Sequence, residues 1–152
     1  NIVFIATSNL TAASSVYDPK DAIVVKLDSG GNVLWSTQFG SSTSPSRKNT
    51  TNWASGHNIT TDSTGAVYAT GSLFNTVDVD SGPGTSTLSG AVYGAYVIKF
   101  TPGGSLAWTR AFTGGNFGAV EPADIAVGAN GNVYSDANGD VSGSNGGIAA
   151  AR

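Results

Sequence analysis

The sequence predicts an all-β chain built from one supersecondary unit used several times, and three observations carry that prediction. The stretch 21–40, DAIVVKLDSGGNVLWSTQFG, returns as 94–113, GAYVIKFTPGGSLAWTRAFT. Lys26 thereby matches Lys99, Gly30 and Gly31 match Gly103 and Gly104, Trp35 matches Trp108 and Phe39 matches Phe112. A neighbouring stretch, 57–72 HNITTDSTGAVYATGS, returns as 123–138 ADIAVGANGNVYSDAN. Such interleaved self-similarity marks a repeat architecture. The third observation is compositional: Val, Ile, Thr, Tyr, Phe and Trp gather in short runs between Gly-rich turns, and strong helix formers are scarce.

Taken in order, strands are expected over 1–7, 21–28, 33–39, 57–62, 66–72, 95–101, 106–112, 124–127, 132–137 and 148–152. Residues 1–7 pattern like 66–72 and 132–138. The run at Ile23, Val24, Val25 and Leu27 is apolar on both faces, which requires a sheet covered on both sides. Tight turns are expected at 29–32, 63–65, 102–105 and 128–131, where Gly can take positive φ. Residues 8–20, 40–55, 73–93 and 113–122 read as longer loops.

Naming the strands of the unit a, b, c and d, the chain runs b-c-d, a-b-c-d, a-b-c. Strand a is the poorest in bulk, as an innermost strand near a narrow axis must be. Four short antiparallel strands per repeat fit the blade of a β-propeller, and internal repetition disfavours the alternative, a β-sandwich. The expected division is a partial blade over 1–39, a complete blade over 56–113 and a partial blade over 122–152. About two and a half blades cannot close a ring that typically needs about 4–8. The expectation is therefore a segment of a longer chain, with a ring closed between neighbouring subunits as the alternative.

The stretches DAIVVKLDSGGNVLWSTQFG and NITTDSTGAVYATGS resemble the bacterial β-propeller repeat known as SBBP, and FNTVDVDSGPGTSTL resembles an insert of its secreted relatives. The resemblance implies an extracellular or cell-surface propeller, part of a large multidomain protein. It implies no catalytic residues.

Composition narrows the partners. Only 11% of residues are charged and the net charge is −3, so there is no basic surface to hold nucleic acid. No run is long and apolar enough to span a bilayer. The absence of Cys removes disulfides and thiolate chemistry together. A charge-poor surface rich in Ser, Thr, Gly and Asn leans extracellular.

The tight turns a–b and c–d fall on one face of the unit and the long loops on the other. A loop-rich face on a rigid scaffold is where binding is expected. Trp53, beside Arg47 and Lys48 in the 40–55 loop, is the candidate for stacking on a surface glycan or docking a protein. Asp78 and Asp80, in VDVDSGPG, are the candidate calcium ligands. The full calcium-loop motif is absent, and the competing reading is Asp capping its own backbone. Asn9, Asn49 and Asn58 head N-x-S/T sequons, which matter in a eukaryotic host. The lone His57 lacks the nucleophile and orienting acid that base catalysis requires. Trp35 and Trp108 recur and so read as packing. Lys26, Lys99 and Arg152 recur and read as a strand-edge charge or a hydrogen bond between blades. The function expected is a non-enzymatic structural or adhesive segment. The alternatives are a lectin-like carbohydrate-binding propeller and a propeller enzyme of the quinoprotein-like oxidoreductase kind.

Overall fold

The computed structural model describes residues 1–9, 20–40, 52–80, 84–113, 121–138 and 148–151. These contain no helix, and so none long and apolar enough to cross a membrane. The strands are β1 (Ile2–Asn9), β2 (Lys20–Leu27), β3 (Val33–Gly40), β4 (Trp53–Thr61), β5 (Val67–Asp78), β6 (Thr87–Phe100), β7 (Leu106–Thr113), β8 (Glu121–Val127), β9 (Val133–Asn138) and β10 (Ile148–Ala151). They form three antiparallel sheets, ordered β1-β2-β3, β4-β5-β6-β7 and β10-β9-β8.

Four described turns share one geometry. Asp28, Asp62, Thr101 and Gly128 each donate their amide to the carbonyl four residues on and accept the amide three residues on. The residue three positions on is Gly31, Gly65, Gly104 or Gly131, with φ between 80 and 92°. That left-handed position favours Gly because a Cβ crowds the following carbonyl. In the GG pairs it is therefore the second glycine that the turn requires. Where the first residue is Asp, its carboxylate also caps the turn: Asp28 accepts the amides of Gly30 and Asn32, and Asp62 those of Thr64 and Ala66.

The middle sheet is covered on both sides. On one side, Val67, Ala69, Leu73, Tyr96, Ile98 and Phe100 meet Ala22, Val24 and Phe39 of the first sheet, with Val3, Ile5 and Trp35 packed against them. On the other side, Tyr68 and Val97 meet Ile125 and Val133 of the third, with Trp108 and Phe112 alongside. Each fully buried side chain of this size stabilises by about 1.5–3 kcal/mol. The two interfaces obey one rule. Val24, Trp35 and Phe39 serve the first interface as Val97, Trp108 and Phe112 serve the second, and Ile59 and Val67 are matched by Ile125 and Val133.

Two loop assignments are corrected. The 73–93 segment is mostly strand: β5 runs on to Asp78 and β6 begins at Thr87. The ladder shifts register between Phe74 and Thr76, and Asn75 between them holds φ 59°. Asn is among the few side chains that tolerate this region. Beyond that bulge Val77, Val79 and Leu88 are buried in the same core as Phe39 and Phe100. The insert is thus an arm folded into the protein, because its alternating Val residues give it an apolar face to bury. Likewise the 40–55 loop ends early, since Trp53 already opens β4.

Candidate functional site

The first and middle sheets are joined at their turn ends by polar contacts. Lys26, almost fully buried, donates from Nζ to the carbonyls of Gly65, at 2.7 Å, and Pro102, at 3.0 Å. Trp35 Nε1 donates to the same Pro102 carbonyl at 3.0 Å, using its second lone pair. Of the two roles read from the recurrence of Lys26, the bond between sheets is the one found. Its counterpart Lys99 instead stays within its own sheet, 3.9 Å from Asp62 and 4.8 Å from the Tyr68 ring centre. Arg152 lies outside the described residues. At the opposite end Thr7 Oγ1 accepts the Gly56 amide at 3.0 Å.

Trp53 is not an exposed platform. It is buried and stacks on Phe74 with centroids 6.0 Å apart and planes 9° apart, while Tyr93 meets both rings edge-on. The Lys20 ammonium lies 5.2 Å from its centroid. The register that pairs Trp53 with Phe74 and Phe74 with Tyr93 brings these rings together across three strands. The indole Nε1 is buried without a hydrogen-bond partner. Arg47, Lys48 and Asn49 lie outside the described residues.

Asp78 caps the arm. Its Oδ1 accepts the Asp80 amide at 3.0 Å and the Ser86 amide at 2.9 Å, while Val79 donates to the Ser86 carbonyl. Asp80 lines an open groove with Gly103, Gly104 and Ser105. Among the described residues no group of three or more His, Cys, Asp or Glu is gathered closely enough to hold a metal ion.

The sequon Asn58 is engaged in the scaffold. Its Nδ2 donates to Asp124 Oδ1 at 2.8 Å, joining the middle and third sheets, and its Oδ1 accepts the Ile59 amide. A glycan on that nitrogen would have to break the bond between sheets. Asn9 ends β1 opposite Lys20.

His57 sits at the bulge of β4, between Gly56 and Asn58, and bulges re-aim side chains. Its Nε2 is 3.2 Å from Ser55 Oγ and 3.3 Å from Ser72 Oγ. Two hydroxyls are therefore in reach of this ring, a juxtaposition the sequence hides because Ser72 is brought in by strand pairing. Glu121 lines the same shallow depression. The exposed ring and its hydroxyls make a polar patch at the sheet edge. Base catalysis would further require an acid seated on the other ring nitrogen and donors for a developing oxyanion.

Two carboxylates are electrostatically set. Asp62 is held at about 2, from an ordinary 3.8, first by the Thr64 hydroxyl at 2.6 Å and further by the Tyr68 hydroxyl and the turn amides. Asp28 is lowered chiefly by the Asn32 amide side chain. Burial pushes the Tyr96 hydroxyl far up, so it stays protonated and donates to the Ser55 carbonyl. All three act on turns and strands, and each serves the scaffold.

Comparison with known proteins returns no matching family model and no matching curated sequence.

Proposed function

We propose that this chain is a non-enzymatic structural segment of a β-propeller, of the SBBP-like kind, acting as a docking or adhesive scaffold outside the cell. The observation that carries the reading is the shared rule of the two sheet interfaces. The same repeat positions bury in both, with Val24 answering to Val97, Phe39 to Phe112 and Val67 to Val133. A unit that packs on its successor by one rule is a module of an array. Propellers are the array in which four-stranded antiparallel sheets pack face to face around an axis.

The polar groups support the same reading. Lys26, Trp35, Asn58, Asp62 and Asp78 spend hydrogen bonds on turns and on neighbouring sheets. The lectin-like alternative loses its aromatic platform, since Trp53 is stacked inside the protein. The charge-poor, Ser/Thr/Gly/Asn-rich composition supports an extracellular setting.

Electron micrographs of the native protein test the architecture. Sheets arranged radially about a channel are expected, and a two-layer sandwich overturns the reading. Protease shaving of intact source cells tests the setting. Peptides of this chain should be released without lysis, and their confinement to the lysate counts against an extracellular scaffold.

A further inference from the structure

Resting on that reading of the chain as a segment of a repeat stack, we propose that the outer face of β1-β2-β3 docks a second copy of this chain. The second copy would seat the outer face of its β8-β9-β10 sheet there, head to tail.

The argument compares equivalent positions. In β1, Val3 and Ile5 point to the core, which leaves Ile2 and Phe4 on the opposite face. Ile2 is 54% exposed and Phe4 43%, whereas Val67 and Ala69, their counterparts in the middle sheet, are fully buried. Val33 is 63% exposed, while its counterpart Leu106 packs against the core. The first sheet therefore presents, uncovered, the face that the middle sheet has covered.

The other end shows the converse. Val133 and Ser135 are buried, so Tyr134 lies on the outer face of the third sheet and is 40% exposed. Its counterpart Tyr68 is 2% exposed, covered by that third sheet. Both interior interfaces join one kind of face, bearing Val24 or Val97, to the other kind, bearing Val67 or Val133. Neither joins two faces of one kind. Each copy thus carries one open face of each kind, and head-to-tail docking pairs them as the interior does. Such a heterologous contact closes a ring or grows a filament according to its rotation.

Sedimentation of the whole chain across a wide concentration range tests this, using wild type, Phe4→Glu, Tyr134→Glu and an equal mixture of the two variants. Both residues are exposed, so unchanged thermal unfolding is expected to show that each variant folds. Wild type should associate with rising concentration. Each variant alone should remain monomeric, with association weakened about 10-fold or more. The mixture should form a one-to-one dimer that grows no further, because one variant keeps the Tyr134 face and the other the Phe4 face.

A wild type that stays monomeric overturns the proposal, as it would if a further repeat of a longer chain covers these faces. Association that survives in both variants also overturns it, and so does a mixture that stays monomeric while wild type associates. A monomeric wild type alongside a ring in native micrographs sinks the docking alone, whereas a missing ring sinks the reading beneath it.

Discussion

The Lys26 ammonium crosses from one sheet to the next to donate to the Gly65 carbonyl at 2.7 Å. It carries a charge into a site where it is only 3% exposed and binds there to turn carbonyls. Bonds that involve a charged group contribute about 1.5–3 kcal/mol, and a buried carbonyl left without its donor costs about 1–3. Lys26→Met should therefore lower stability by about 1–3 kcal/mol in urea unfolding. Lys26→Arg should not restore it, because a planar fork does not replace a compact ammonium between two carbonyls. Full stability in Lys26→Met would show that this contact contributes nothing.

Asp62 gives the pH dependence a sign. Its folded value, about 2, lies below the ordinary 3.8. The carboxylate therefore contributes fully above about pH 4, and its contribution is lost as pH falls from there through about 2. With its side chain 17% exposed, solvent reduces the effect to about 1–2 kcal/mol. Urea midpoints measured from pH 5 to pH 2 should fall more steeply for wild type than for Asp62→Asn. Parallel slopes would remove Asp62 as a source of acid sensitivity.

Gly31 and Gly104 hold the same turn position with different surroundings. Both have positive φ, 83° and 92°. A Cβ at Gly31 meets nothing within 4 Å, while one at Gly104 would lie 2.7 Å from the Trp35 ring. Gly31→Ala should cost about 1 kcal/mol for the backbone alone. Gly104→Ala should cost about 1–3 kcal/mol more for overpacking against the neighbouring sheet. Equal losses in the two variants would mean that Trp35 yields freely.

Asn75 sets the kink that turns the arm into the core. Asn75→Gly should be nearly neutral, since Gly takes its φ of 59° without strain. Asn75→Val should lose about 1–2 kcal/mol and speed hydrogen exchange at the Val79 amide, whose bond to Ser86 closes the arm. Unchanged exchange in the Val variant would separate the kink from the docking of the arm.

Trp53 carries a ring that is buried well and an N–H that is not satisfied. Trp53→Ala should cost about 3–5 kcal/mol. Trp53→Phe keeps an aromatic partner for Phe74 and removes the orphan donor, so it should lie within about 1 kcal/mol of wild type. A large loss in the Phe variant would mean that the nitrogen has a partner in solution.

The ten strands were legible because their signal is local. Alternation, apolar runs and the Gly of each turn act within a few residues, and the repeat states the pattern more than once. Position 31 of the first turn could be matched to 65, 104 and 131 before any coordinates. The buried character of Val24, Val97 and Val67 followed from strands that are apolar on both faces.

Tertiary structure decided what the local pattern leaves open. FNTVDVDSG is polar enough to read as a loop. Its Val residues become core only because Asn75 kinks the arm onto Phe39 and Phe100, which are distant in sequence. Trp53 reads as exposed beside Arg47 and Lys48 until strand register sets it against Phe74 and Tyr93. Lys26 and Lys99 occupy one repeat position, yet one bonds a neighbouring sheet and the other its own, because only Lys99 has Asp62 and Tyr68 beside it. Ile2 and Val67 likewise share a position, and exposure separates them. A sequence specifies that a face is apolar, whereas what covers the face depends on which sheet lies next to it.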